Sequence, residues 1–179
     1  VGTFKMNGHT DEIEMISADS WPAELWMGSG TLTVTTVTDG TYPGRLVGPG
    51  TFIKAGKARL TLWPSTDYTG AVQVIDGTLE VIGDATLGTG IALSNGGAII
   101  GTGRTGTITA TAGAGAIRPG GINGIGILNT KSIALDSDDS FSVHAIAGAG
   151  APGTTHSQLQ VTGAVTLGNA TLDLSAAGQ

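Results

Sequence analysis

The sequence predicts an all-β solenoid, wound into roughly six to eight stacked coils. Three observations carry that expectation. Gly-Thr followed by an apolar residue recurs at Gly2-Thr3-Phe4, Gly30-Thr31-Leu32, Gly50-Thr51-Phe52, Gly77-Thr78-Leu79 and Gly106-Thr107-Ile108. The intervals, roughly 20 to 29 residues, fall in the period range of repeat folds. Each recurrence opens a short run that alternates apolar and polar residues, the period of a half-buried strand. The composition agrees: 31 glycines and only 4% aromatic residues leave a core built of Val, Ile, Leu and Ala in narrow layers. A unit of this size cannot bury its own apolar face, so it must stack on a neighbour.

The elements follow in order within one domain, residues 1–179. Residues 1–30 differ from the rest, with Trp21-Pro22, Trp26 and a cluster of acids, and suggest an atypical first coil or cap. In Asp11-Glu-Ile-Glu-Met15 the apolar residues alternate with acids, which suits a strand better than a helix. Thr31–Val37, Ala58–Leu62, Gly77–Val81, Gly106–Ala110 and Ala170–Leu174 alternate in the same way. This pattern sends Leu60, Leu62, Leu79, Val81, Ile108, Leu172 and Leu174 inward, and Thr61, Glu80, Thr109 and Asp173 outward. Residues 136–156, with an acidic corner and an Ala/Gly-rich stretch, read as a loop insertion.

Asn7-Gly8, Asp39-Gly40, Asp76-Gly77, Asn95-Gly96 and Asn123-Gly124 tolerate positive φ and mark the turns. Taken alone they suggest hairpins and a meandering sandwich, which is the alternative fold. The recurrence and the four-to-six-residue strands favour parallel coils.

The net charge of −6 and the pI near 4.7 disfavour nucleic acid and a polybasic membrane patch as partners. With no cysteine there is no disulfide framework and no thiolate metal site. No stretch is long and apolar enough to span a bilayer, and no secretory leader opens the sequence. The chain reads as a segment of a longer protein or as a mature form.

Chemistry is sparser. Gly101-Thr-Gly103-Arg-Thr-Gly106 and Gly148-Ala-Gly150-Ala-Pro-Gly153 match the dinucleotide fingerprint, but no helix pattern follows either, and no cofactor is expected. Asp136, Asp138 and Asp139 are candidate calcium ligands through their carboxylates, without the later glycine and glutamate of an EF-hand. Asp138-Asp139 is also the best pair for glycoside hydrolysis, although a turn in solvent explains it more simply. His9, His144 and His156 lack metal-ligand spacing. Trp21, Trp26, Trp63 and Tyr68 are candidate sugar-stacking residues, with Tyr42 as a further aromatic. Capping of the first coil accounts for Trp21 and Trp26 equally well.

From Gly50 to Leu174 the chain resembles the passenger-domain repeat of bacterial autotransporters and related surface proteins. The resemblance runs through Gly48-Pro-Gly-Thr-Phe-Ile-Lys-Ala-Gly-Lys-Ala-Arg-Leu-Thr-Leu62, Tyr68-Thr-Gly70, Val72-Gln-Val74 and Gly77-Thr-Leu79. It continues through Leu87-Gly-Thr-Gly90, Asn95-Gly-Gly97, Ile117-Arg-Pro-Gly-Gly-Ile122, Val161-Thr-Gly163 and Leu167-Gly-Asn-Ala-Thr-Leu172. It implies a right-handed parallel β-helix displayed outside a bacterial cell. The expected role is an extracellular structural or adhesive spacer or fibre subunit, without enzymatic activity. Its expected partners are copies of itself end to end, flanking coils of a longer chain, or a host or matrix glycan or protein. The alternative is a glycan-binding module or a polysaccharide-cleaving β-helix enzyme.

Overall fold

A computed structural model describes residues 2–18, 23–63, 67–122, 124–146 and 150–177. Its strands pair in parallel, and no helix occurs among the described residues. The chain is a parallel β-helix of about seven turns. Each turn lays strands on successive faces, so each face is a sheet whose neighbours are one turn apart in sequence. A ten-stranded sheet runs from Asp11–Ile13 to Gln158–Val161 through eight strands, with Ile133–Ala134 and Val165–Thr166 paired beside that path. A seven-stranded sheet runs from Gly40–Tyr42 to Thr171–Ala177. A three-stranded sheet of Thr3–Lys5, Glu24–Trp26 and Arg45–Val47 forms the third side of the early turns.

In-register pairing turns alternation into columns. Leu60, Leu79, Ile99, Ile117, Phe141 and Leu172 form one column of the seven-stranded sheet. Leu32, Phe52, Val72, Ile91, Ile108 and Ile133 form one in the larger sheet. Leu60, Leu62, Leu79, Val81 and Ile108 are buried as the pattern requires. Leu172 and Leu174 keep their column positions opposite Phe141 and Val143 but are 58% and 71% exposed, because no described coil lies beyond them.

The glycine recurrence has a steric origin. The ten-stranded sheet aligns Thr31 with Thr51 and Thr51 with Ala71, so Gly30, Gly50 and Gly70 stack at one corner. A Cβ on Gly50 would fall 2.5 Å from Gly30 O and 2.8 Å from the Met27 Cβ. Backbone passes backbone there, and only glycine fits. Gly90 pairs with Thr107, which brings Gly106 to the same corner. Gly2-Thr3 and Gly77-Thr78 head strands of the other two sheets. The asparagine-glycine pairs also serve the winding. Asn7-Gly8 and Asn95-Gly96 both take positive φ, and they turn the chain from one sheet to the next instead of closing hairpins.

Lys54 breaks the apolar column. It pairs with Val34 and Val74, and its side chain is 0% exposed. The ammonium survives burial because Nζ donates to Ala55 O (2.9 Å), Gly56 O (2.7 Å) and Asp76 O (3.1 Å). Those carbonyls lie at the corner where the strand ends, so the stem fills the core and the head caps the turn.

One expectation about a special segment is corrected. Residues 136–156 are not one loop insertion: Ser140–Ile146 is a strand paired with the strands before and after it in the seven-stranded sheet. After that strand, an antiparallel bridge joins His156 to Ala145. Of the tryptophans expected to cap the first coil, Trp26 is exposed on the three-stranded sheet and Trp21 lies outside the described residues. Among the described residues, Phe4, Met6, Ile13, Ile16 and Leu25 line a hollow at this end.

Candidate functional site

A groove of about 740 Å³ runs along the outer face of the seven-stranded sheet in its later turns. Its floor is a row of outward side chains. Ile100 pairs with Arg118. Ile117 pairs with Phe141, which places Ser142 beside Arg118, and Ser142 pairs with Asp173. A parallel row, two residues further along, holds His144 paired with Ser175. Each rung advances about 4.8 Å, so Arg118 and Asp173 lie two rungs, about 10 Å, apart along the floor. Neither forms an ion pair among the described residues.

The wall of the groove is the turn after the strand Ala116–Pro119. Gly120, Gly121, Gly124 and Gly126 in this turn have φ of +102°, +55°, +74° and +150°. Side-chain-bearing residues adopt such backbone poorly, and the Pro-Gly-Gly sequence supplies it. The turn is fastened at two points. Glu80 Oε1 accepts the Ile122 N–H at 3.1 Å, while Glu80 Oε2 accepts from Thr61 Oγ1 at 2.9 Å and lies 3.5 Å from Arg59 Nε. At the other point, Gly124 packs on the His144 ring, and a Cβ there would come within 2.9 Å of Cδ2. His144 Nδ1 lies 2.8 Å from Ser175 Oγ. The imidazole is thus held between the wall and a neighbouring rung.

Alternation places Glu80 and Thr61 on the outward side of the sheet. They do point outward, but Glu80 is only 7% exposed, with the turn at 121–122 against its carboxylate, and Thr61 is buried and donates to Glu80. A carboxylate removed from water needs compensation, and here two hydrogen bonds, from Ile122 N–H and Thr61 Oγ1, and the charge of Arg59 supply it.

The residues singled out from sequence are dispersed. Tyr68 is 2% exposed and its hydroxyl donates to Gly50 O at 2.6 Å, so it is a core residue and not a sugar platform. Burial raises its pKa above the ordinary phenol value. Tyr42 is likewise buried, and its pKa rises to about 12 through burial first and the nearby Glu24 charge second. Trp26 is exposed on the three-stranded sheet, with Lys5 Nζ 5.6 Å from its ring and its indole N–H donating to Glu24 Oε2. Trp63 is exposed beyond Arg59–Leu62 of the seven-stranded sheet. Trp21 lies outside the described residues.

The acidic corner is an internal turn. Asp139 is buried. Its Oδ1 accepts Gly115 N–H and its Oδ2 accepts Asp136 N–H, both at 2.7 Å. Asp136 Oδ1 accepts Asp138 N–H at 3.0 Å. Both oxygens of Asp139 therefore serve backbone donors, and the Asp138-Asp139 pair does not present two free carboxylates to one substrate. No cluster of three or more His, Asp or Glu residues suited to a metal occurs among the described residues. The Gly101–Gly106 fingerprint spans the corner between two strands, and no helix follows it. The second match begins outside the described residues.

Sequence reasoning missed the groove. Arg118, His144, Asp173 and Ser175 come from three successive rungs and carry no common motif. The one available signal was the Pro-Gly-Gly turn, the kind of outward excursion that builds a wall. No family model, no curated protein and no solved structure matches the chain.

Proposed function

We propose that this chain is a stretch of a stiff extracellular rod, a structural or adhesive spacer of a bacterial surface, with ends built to be continued by further parallel coils. The observation that carries the reading is the state of the core columns at the ends. Leu172 and Leu174, with Val165 and Leu167, stand in or beside column positions yet are exposed. Phe4 heads the column of Leu25 and Leu46 and is 65% exposed. Further inside, Leu60, Leu79, Ile99 and Ile117, and Leu25 and Leu46 beneath Phe4, are buried. Apolar surface of this kind is stabilised when another coil covers it. The unpaired strand edges beside it supply hydrogen-bonding groups to the same neighbour. Placement outside a bacterial cell rests on the resemblance to passenger-domain repeats.

Light scattering across a concentration series tests the proposal. The chain should associate, and Leu172→Lys with Leu174→Lys should return it to monomer without unfolding it. A protein that stays monomeric at every concentration, with those leucines intact, contradicts the reading.

A further inference from the structure

We propose that the groove on the outer face of the seven-stranded sheet binds a linear neutral oligosaccharide. This goes beyond the rod reading and stands without it, since the groove lies on the flank and not at the ends.

Glu80 holds the wall of the groove in place. Glu80 is a nearly buried carboxylate whose Oε1 is committed to the Ile122 N–H, across 42 residues of sequence. Four glycines with positive φ give the turn its path. Fastening of this kind fixes a surface shape and does nothing for the core columns beneath. Ile122 is 67% exposed at the lip of the groove. It offers an aliphatic face of the kind that the C–H face of a pyranose ring packs against.

The floor supplies the polar half. Arg118 donates only, Asp173 accepts only, and Ser142 between them does both. His144 is oriented by Ser175 and by Gly124, so its ring is positioned before any ligand arrives. A ligand matching this row must present donors and acceptors alternately over about 10 Å, two parallel-strand rungs. Consecutive sugar rings, each with several hydroxyls, do so. Charge selects the neutral form. One guanidinium and one carboxylate balance along the floor, and the protein carries −6 overall, which repels a polyanion.

The test is titration monitored by amide NMR with cellotetraose, xylotetraose, mannotetraose and chitotetraose. Tetragalacturonate serves as the acidic counterpart. At least one neutral tetrasaccharide should bind and shift the amides of Ile117, Arg118, Gly120, Gly121, Ile122, Gly124 and residues 140–144. Arg118→Gln and Asp173→Asn should each weaken it tenfold or more, with thermal unfolding unchanged, while Lys57→Gln on another surface should leave it intact. Absence of binding by all four neutral sugars at millimolar concentration overturns the proposal. So does binding that ignores both groove substitutions, or tighter, salt-sensitive binding of tetragalacturonate. A strict monomer that binds a neutral sugar through Arg118 would retain this inference and remove the rod.

Discussion

Raising the pH from about 8 to about 10 should stabilise this protein, and Lys54→Met should abolish that response. Lys54 stands in a core column between Val34 and Val74 with none of its surface exposed. Burial lowers its pKa from 10.5 to about 8, with Asp76 and Asp39 opposing the shift by their charges. Between those values the unfolded chain holds the proton that the folded chain has released. The unfolded state then binds more protons, so stability rises with pH through the window. Each pH step fully inside it contributes about 1.4 kcal/mol, giving about 2 kcal/mol between pH 8 and pH 10. Tyr42 and Tyr68 act in the opposite sense, since their raised pKa values favour the protonated folded state. Their effect begins only near the unfolded phenol value, about pH 10, and bounds the window from above. Urea unfolding followed by tryptophan fluorescence, repeated across this range, gives the profile. Methionine keeps an unbranched stem of similar length in the column and removes the titration. Parallel profiles for the two proteins, or a wild-type stability that falls across the window, would refute the reasoning.

The remaining predictions concern the columns, the corner and the acidic turn. Leu79→Ala, in a fully buried column position, should cost about 2 to 5 kcal/mol in chemical unfolding, whereas Leu174→Ala in the isolated chain should cost less than about 0.5 kcal/mol. Gly50→Ala should prevent stable folding or lower the unfolding temperature sharply, because its Cβ collides with backbone. Gly96→Ala, which meets nothing within 4 Å and pays only for positive φ, should cost about 1 kcal/mol. Asp139→Ala strands two backbone N–H groups and should cost about 2 to 4 kcal/mol, with calcium leaving the unfolding temperature of the parent protein unchanged. Tyr68→Phe should destabilise by about 1 to 2 kcal/mol through the lost bond to Gly50 O, and sugar binding should not change.

The architecture was legible because the solenoid imposes its period on the residues that cannot vary. Gly30, Gly50 and Gly106 recur since each sits where one turn's backbone crosses the next. Gly70 belongs to the same corner but is followed by alanine, so a search for Gly-Thr passes over it. Gly2 and Gly77 match the pattern while heading strands on other faces. The interval of about one turn was therefore read correctly from partly unrelated positions. Alternation gave the side of the sheet correctly for Leu79 and Glu80 alike, but side and burial are different quantities. Whether Glu80 meets water depends on a turn 42 residues later, and whether Leu174 does depends on a coil beyond it. Lys54 obeys the alternation and defies the chemistry, since only the three converging carbonyls make its burial tolerable. The groove was illegible for a related reason. Its side chains are neighbours only across rungs, and a single sequence does not state which rungs align. Large aromatics drew attention as sugar platforms, yet Tyr68 is core and the exposed tryptophans lie outside the groove.

Solution X-ray scattering across a concentration series tests the central claim most directly. One chain of about seven turns, at about 4.8 Å per rung, is about 34 Å long. The account predicts particles whose cross-section stays constant while their length grows in steps of about that size. A particle of fixed length at all concentrations, or one that thickens as it associates, would contradict it.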